Sequence, residues 1–209
     1  MGIEMIHLIG AGGHCKVVLD ALLESGVALS DICVRDGRAD RAGRALLGAV
    51  VETPEIAPGL SGQPFHVAIG AAFVRQRLHE AAEAAGGSAH TVRHPAARVS
   101  RFATIGDGSL VAALAVVGPG AHIGRGVIVN HGAVVDHDGD IGDFTHLAPN
   151  ASLGGGVRVG VRCLIGAGAV VLPGVSIGDD VTVGAGAVVT RDIASNQTWT
   201  GIPAAPKAL

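Results

Sequence analysis

The chain has 209 residues, a formal net charge of −3 and almost no aromatic side chains: four Phe, one Trp and no Tyr. That length admits two modest domains. A charge near zero without runs of one sign excludes an electrostatic surface for nucleic acid or an anionic membrane.

The apolar stretch within Met1–Gly10 is too short for a signal peptide or a membrane span. Met1-Gly2 is followed by Ile6 where N-myristoylation needs Ser or Thr, so that modification is not expected. Met5–Ile9 reads as a short apolar strand, and a glycine turn leads from it into a helical pattern through Val17, Val18, Ala21 and Leu22. Ile32–Arg35 reads as a second strand and Val67–Ile69 as a third, ending at Gly70. Val74–Ala85 is helical in pattern, with Gly86-Gly87 as its stop. Strands alternating with helices predict a small parallel α/β sheet of Rossmann-like type over residues 1–93.

Gly10-Ala-Gly-Gly-His-Cys-Lys16 follows the first strand and opens a helix, the place where α/β sheets hold phosphates on free N–H groups. Cys15 stands where the dinucleotide fingerprint needs its third glycine, and Cys15-Lys16-Val17 fails the P-loop pattern. Two readings stay open: a pyrophosphate or nucleotide-sugar site, or simply a tight turn. Asp36, just after the second strand, is placed to accept hydrogen bonds from a base or ribose, or to be a solvated loop residue.

His94-Pro95 marks the passage to a different regime. From Val99 to Val189 an aliphatic residue recurs every six positions without exception, and the position two before each is small or Val. A period of six with one aliphatic and one small side chain pointing inward is the hexapeptide signature of a β-helix, in its left-handed parallel form. Ile105-Gly106, Ile123-Gly124, Ile141-Gly142, Val159-Gly160 and Ile177-Gly178 are each eighteen apart, which predicts three strands per triangular coil and about five coils over residues 94–209. A prism that narrow has no room for rings, in keeping with the scarcity of aromatics. Trp199-Thr-Gly-Ile-Pro203 lies beyond the last repeat and is expected to fold back as the cap a solenoid needs. Cys15, Cys33 and Cys163 show no paired spacing, which predicts reduced thiols and a cytoplasmic protein.

His122, His131, His137 and His146 lie in the coils, none in an inward slot. His137 differs because Asp136 and Asp138 flank it, and a carboxylate beside an imidazole fixes its tautomer and stabilises its protonated form. Eighteen residues on, Gly155 occupies the same corner one coil away, about 5 Å distant. A base on one coil and a glycine N–H on the next suits acyl transfer: the base takes the nucleophile's proton and the N–H receives the oxyanion. Ala167 and Ala185 share another stack, where small side chains let an extended ligand lie along the prism.

Ile9-Gly-Ala-Gly-Gly-His-Cys-Lys16, Ala68-Ile-Gly70, Val135-Asp-His-Asp-Gly-Asp-Ile-Gly-Asp-Phe-Thr-His146 and Gly201-Ile-Pro-Ala204 together resemble the sialic-acid O-acetyltransferase type of bacterial sugar acetyltransferases, including the N-acetyltransferases of nucleotide-linked 4-amino-sugars. The resemblance spans nearly the whole chain. It implies a homotrimer with active sites between subunits and acetyl-CoA as co-substrate. It implies direct transfer without a metal, His137 as general base, and Asp138 as the acid that raises its basicity. His146, Gly155, Ala167 and Ala185 match acetyl-CoA contacts, and Gly12, Gly13, His14, Asp36 and Gly70 match the nucleotide-sugar site. Two positions depart from the family pattern: Asp138 where Glu is common, and Asp36-Gly37 where paired aspartates are. O-acetylation of a sugar hydroxyl would use the same parts. The rival of another class is a γ-carbonic-anhydrase-like zinc lyase on the same prism, for which the N-terminal domain has no task.

Overall fold

The structure is a computed structural model describing residues 5–57 and 59–207; the reading of Met1-Gly2 lies outside them. The chain divides after Pro95 into two compact units.

In the first unit β1 (Ile6–Ile9), α1 (Gly13–Glu24), β2 (Ile32–Arg35), β3 (Ala45–Leu46), β4 (Ala49–Glu52), β5 (Pro64–Val67), α2 (Ala72–Ala84) and β6 (Ser88–Ala89) follow in chain order. The sheet order is β3-β4-β2-β1-β5-β6, parallel except for the β3–β4 hairpin. β1 is buried along its whole length, as a central parallel strand covered on both faces should be. α1 buries Cys15, Val18, Leu19, Ala21 and Leu22, whereas α2 sets Leu78 and Ala82 against Ile9, Phe65 and Val67.

Two elements correct the sequence reading. The third strand is Pro64–Val67, not Val67–Ile69; Ala68, Ile69 and Gly70 leave the sheet at its C-terminal edge. The polar His66 concealed it: that side chain is 1 % exposed and its Nδ1–H donates to the His90 carbonyl at 3.0 Å. The β3–β4 hairpin was not expected. Its two-residue turn uses Leu47 and Gly48 with φ of 47° and 90°, a primed turn made with a leucine that carries no turn signal.

The second unit is the β-helix. Sixteen two-residue strands run from Arg98–Val99 to Val188–Val189. Each pairs in parallel with a strand eighteen residues away, as in Val117↔Val135, Ile123↔Ile141 and Leu147↔Ile165, giving three faces and about five coils. Beyond the half-buried Val99 and Ile105, every aliphatic of the period is at most 3 % exposed. Polar residues in the small inward slot are satisfied there: Ser109 Oγ donates to the Gly124 carbonyl (2.8 Å), and Thr145 Oγ1 to that of Gly160 (2.7 Å). From Ile105 to Val183, the residue three places after each aliphatic is left-handed whatever its identity, beginning at Gly108, ending at Gly186 and including Leu114, Asp138, Phe144 and Arg162. Corner geometry thus belongs to the repeat, and it imposes φ on the side chains placed there.

Thr198–Thr200 pairs with Thr182–Val183, bringing Trp199 into register with Val183, and Ala205–Pro206 folds back antiparallel on it. Trp199 is 6 % exposed, so the cap closes the open end of the aliphatic stack. Among the described residues no helix is long and apolar enough to cross a membrane.

Candidate active site

Pro119, His137, Gly155 and Pro173 occupy one corner of the prism in successive coils. His137 Nδ1 lies 2.8 Å from Asp138 Oδ2, so Asp138 reaches the ring despite its short side chain. The repeat explains the reach: Asp138 sits at the left-handed corner position (φ 57°), which turns its carboxylate back toward the preceding residue. Room for it comes from Gly120, where a Cβ would fall 2.5 Å from Asp138 Oδ1. The hydrogen bond to Asp138 first, and the nearby charge of Asp136 second, raise the His137 pKa above its ordinary value of 6.5. Asp136 also accepts the His137 N–H at 2.7 Å. With Nδ1 donating to Asp138, the lone pair resides on Nε2, and that atom lies over Gly155.

Glycine is required there by space. A Cβ on Gly155 would sit 2.5 Å from His137 Cε1, 3.0 Å from Cδ2 and closer still to Nε2. The Gly155 N–H is also open. At the neighbouring corner the equivalent amides of Arg125 and Val161 donate to Asp143 and Asp179 one coil on, each at 2.9 Å. At the His137 corner the next coil offers Pro173, whose ring packs near Gly154 and carries no side-chain acceptor. Among the described residues no hydrogen bond uses the Gly155 amide.

The other predicted residues fall elsewhere on the prism. Ala167 and Ala185 share a corner with His131, across the face bearing Val134, Ser152, Val170 and Val188. His146 belongs to a further face, where its Nε2 lies 3.1 Å from Asn130 Nδ2. One prism therefore does not gather His137 and His146 at one point. His122 stands on the remaining face with Nδ1 2.7 Å from Thr104 Oγ1. Sequence reasoning missed Asn130, which is 7 % exposed. A partial signal was present: the residue after each aliphatic is mostly Gly or Ala, and Asn130 and Asp136 are two of the five that break that pattern, with Ser100, Leu172 and Thr190.

In the first unit, Gly12, Gly13, His14, Asp36 and Gly70 line one cavity of ≈300 Å³, together with Arg41. Gly12 is the N-cap of α1, whose first turn carries no acidic side chain, so its free N–H groups favour an anion. Lys16, Arg41 and Arg44 border a second hollow of ≈280 Å³ against the same glycines. Asp36 is already occupied: Oδ2 takes the Ala11 N–H (2.8 Å) and Arg41 (2.9 Å), and Oδ1 takes the Arg38 N–H (2.9 Å). Burial pushes its carboxyl up, but these donors outweigh burial and hold it below the ordinary carboxylate value. Arg41 was not anticipated. Neither was Arg75, which is buried and donates to the carbonyls of Ile69 (2.9 Å) and Gly70 (2.7 Å), holding that loop at the cavity wall. A further hollow of this unit, ≈620 Å³ over His7, Cys33, Arg35 and Glu52, contains none of the predicted site residues.

Residues 5–82 match the PglD N-terminal domain family, residues 102–137 the bacterial transferase hexapeptide family, and residues 156–191 the hexapeptide repeat of succinyl-transferase. GDP-perosamine N-acetyltransferase of Escherichia coli O157:H7 is 35% identical over 110 residues, covering 53% of this chain and 50% of the relative. The chain thus aligns with about half the length of that curated relative. Among solved structures, a point mutant of perosamine N-acetyltransferase from Caulobacter crescentus, in complex with CoA and GDP-perosamine, is 40% identical with a TM-score of 0.92. It covers 100% of this chain and 99% of that one. The acetyltransferase domain of PglB from Neisseria gonorrhoeae FA1090, in complex with acetyl coenzyme A, is 38% identical with a TM-score of 0.90, covering 98% and 99%.

Proposed function

The chain belongs to the hexapeptide-repeat N-acetyltransferases of nucleotide-linked sugars, and we propose that it transfers acetyl from acetyl-CoA to the 4-amino group of a nucleotide-linked amino-deoxysugar. One observation carries the reaction: His137, tied through Nδ1 to Asp138, holds its free Nε2 over a glycine whose own N–H is uncommitted. The amino group arrives as an ammonium ion and must lose a proton before it attacks the thioester. His137 Nε2 accepts a proton from the amine, and the new imidazolium is stabilised by Asp138. The amine nitrogen bonds to the acetyl carbon, and the Gly155 N–H receives the developing oxyanion. Collapse breaks the carbon–sulfur bond and releases CoA thiolate, which takes the second proton that the acylated nitrogen sheds, while the imidazolium returns its own proton to solvent.

Residues 1–93 hold the nucleotide sugar, its diphosphate on the α1 N-terminus between Gly12 and Gly13, with His14, Asp36 and Gly70 as walls. Residues 94–209 hold acetyl-CoA through Gly155, Ala167, Ala185 and His146. Since His137 and His146 lie on different parts of one prism, the working site takes them from two subunits of a homotrimer. The outward Val116, Val134, Val170 and Val188, interrupted by Ser152, form a mostly apolar row on one face, next to an exposed Leu114, and supply a surface for that assembly. Three free cysteines, two of them buried, favour a reducing cytoplasmic setting.

The test is a panel of GDP-, UDP- and dTDP-linked 4-amino-sugars with acetyl-CoA, read by free-thiol release. Turnover of at least one amino acceptor is expected; turnover of hydroxyl acceptors alone overturns the N-acetyl assignment. Light scattering at micromolar concentration should give a trimer, and a fully active monomer would refute the shared site.

A further inference from the structure

The nucleotide pocket of the first unit has its acidic residue at the end of β2, where parallel α/β sheets place the carboxylate that accepts a ribose diol. In this chain that residue, Asp36, is already engaged. Its two oxygens take three donors from Ala11, Arg38 and Arg41, and it is 8 % exposed. A ligand with a pair of adjacent donors needs another acceptor. Beside Asp36 lies Gly37, with no side chain of its own, and the space its Cβ would fill holds a carboxylate from elsewhere. Glu55, from the segment between β4 and β5, lays its side chain directly on Gly37, with Cδ 2.8 Å from that position and Oε2 closer.

We infer that Glu55 is the nucleotide-recognising carboxylate of this enzyme, accepting two adjacent donor groups of the nucleotide in place of a side chain at position 37. Four observations converge on it. Glu55 lines a cavity of ≈120 Å³ with Gly10, Asp36, Gly37, Ile69 and Arg77. This cavity shares Gly10, Asp36 and Ile69 with the ≈300 Å³ cavity at the glycine loop. Both lie at the carboxyl ends of β1, β2 and β5, where the strand order reverses and ligands enter such sheets. The carboxylate of Glu55 has no hydrogen bond or ion pair to any described residue, so both oxygens are available. A diphosphate on the α1 N-terminus leaves the nucleoside end to extend toward Glu55. The two sources of paired donors on a nucleoside are the ribose 2′,3′-diol and the N1–H and N2–H₂ edge of guanine. The inference rests on the nucleotide-sugar reading above and deepens it.

The probes are GDP, IDP, 2′-deoxy-GDP and UDP, titrated calorimetrically into the wild-type chain and into Glu55→Gln, Glu55→Ala and Gly37→Asp/Glu55→Ala. Each protein is also titrated with acetyl-CoA as a check on fold. Loss of a paired, charge-assisted contact should weaken GDP binding about tenfold or more in both single variants, with acetyl-CoA binding unchanged. Because Gly37 does not have a positive φ, Asp is sterically admissible once Glu55 is shortened, and the double variant should recover most of the affinity. A wild-type penalty for IDP that vanishes in Glu55→Gln assigns the contact to guanine; the same behaviour with 2′-deoxy-GDP assigns it to ribose. GDP affinity within twofold of wild type in both single variants overturns the inference while leaving the acetyltransferase reading intact. A wild type that binds none of the four nucleotides overturns the inference, and the reading it rests on falls with it only if the amino-sugar panel, dTDP-linked acceptors included, also shows no turnover.

Discussion

Gly155 and Gly156 are neighbours in sequence with opposite reasons for being glycine, and substituting each separates chemistry from folding. Gly155 does not have a positive φ, so its backbone accepts alanine, but the new methyl falls among Cδ2, Cε1 and Nε2 of His137. Ordinary carbon–carbon contact is 3.4 Å or more, so at 2.5 Å from Cε1 the imidazole must swing away by about 1 Å. Misplacing a catalytic group by that distance costs about 10²-fold in rate, and the methyl also crowds the open N–H. Gly156 has φ 68° and nothing within 4 Å of a built Cβ. Alanine there incurs left-handed strain of about 1 kcal/mol, which lowers Tm by about 2–4 °C in a chain of this size. Thiol-release kinetics and thermal melts on both variants read the difference. Gly155→Ala should lose kcat at least about a hundredfold with little change in Tm, whereas Gly156→Ala should lose stability and keep most of its kcat. If Gly155→Ala retains more than half of wild-type kcat, Nε2 over Gly155 is not the working geometry and the assignment of the base fails.

His137→Ala should lower kcat by about 10²–10⁴ with little effect on either KM, whereas His131→Ala, one corner away, should be nearly neutral; the converse result would mean that the wrong repeat carries the base. Because Asp138 and Asp136 raise the His137 pKa above 6.5, wild-type activity should rise with pH through a limb above that value. Asp138→Asn should move this limb to lower pH while reducing the maximal rate, and an unmoved limb would show that the bond to Asp138 does not tune the base. Burial pushes the pKa of His66 down to about 3, against an ordinary 6.5. The unfolded chain therefore binds a proton that the native state refuses, so stability is full above pH 6.5 and is lost as pH falls toward 3. His66→Leu should flatten the acid side of a Tm-against-pH curve even if it is less stable at about pH 8; an unchanged slope would refute this.

The prism could be read before any coordinates because its information is periodic. One wrong residue at Val135 or Ile141 would put a polar group in a narrow apolar core, so the repeat writes register, coil length and corner positions into the sequence itself. That is why His137 and Gly155, eighteen apart, could be stacked by arithmetic. The glycine loop and its wall residues were readable for a related reason: the strand–turn–helix that makes them is local. Strand β5 was misplaced because His66 is polar and its burial is satisfied only by the His90 carbonyl, twenty-four residues away. Tertiary structure alone decided that Asp36 is consumed by three donors from two segments, that Asn130 pairs with His146, and that Glu55 fills the space beside Gly37. Each is a contact whose spacing follows no period, and nothing in either partner's neighbourhood names the other. Periodicity specifies where the backbone goes; which polar atoms meet depends on how separate turns of it are brought together.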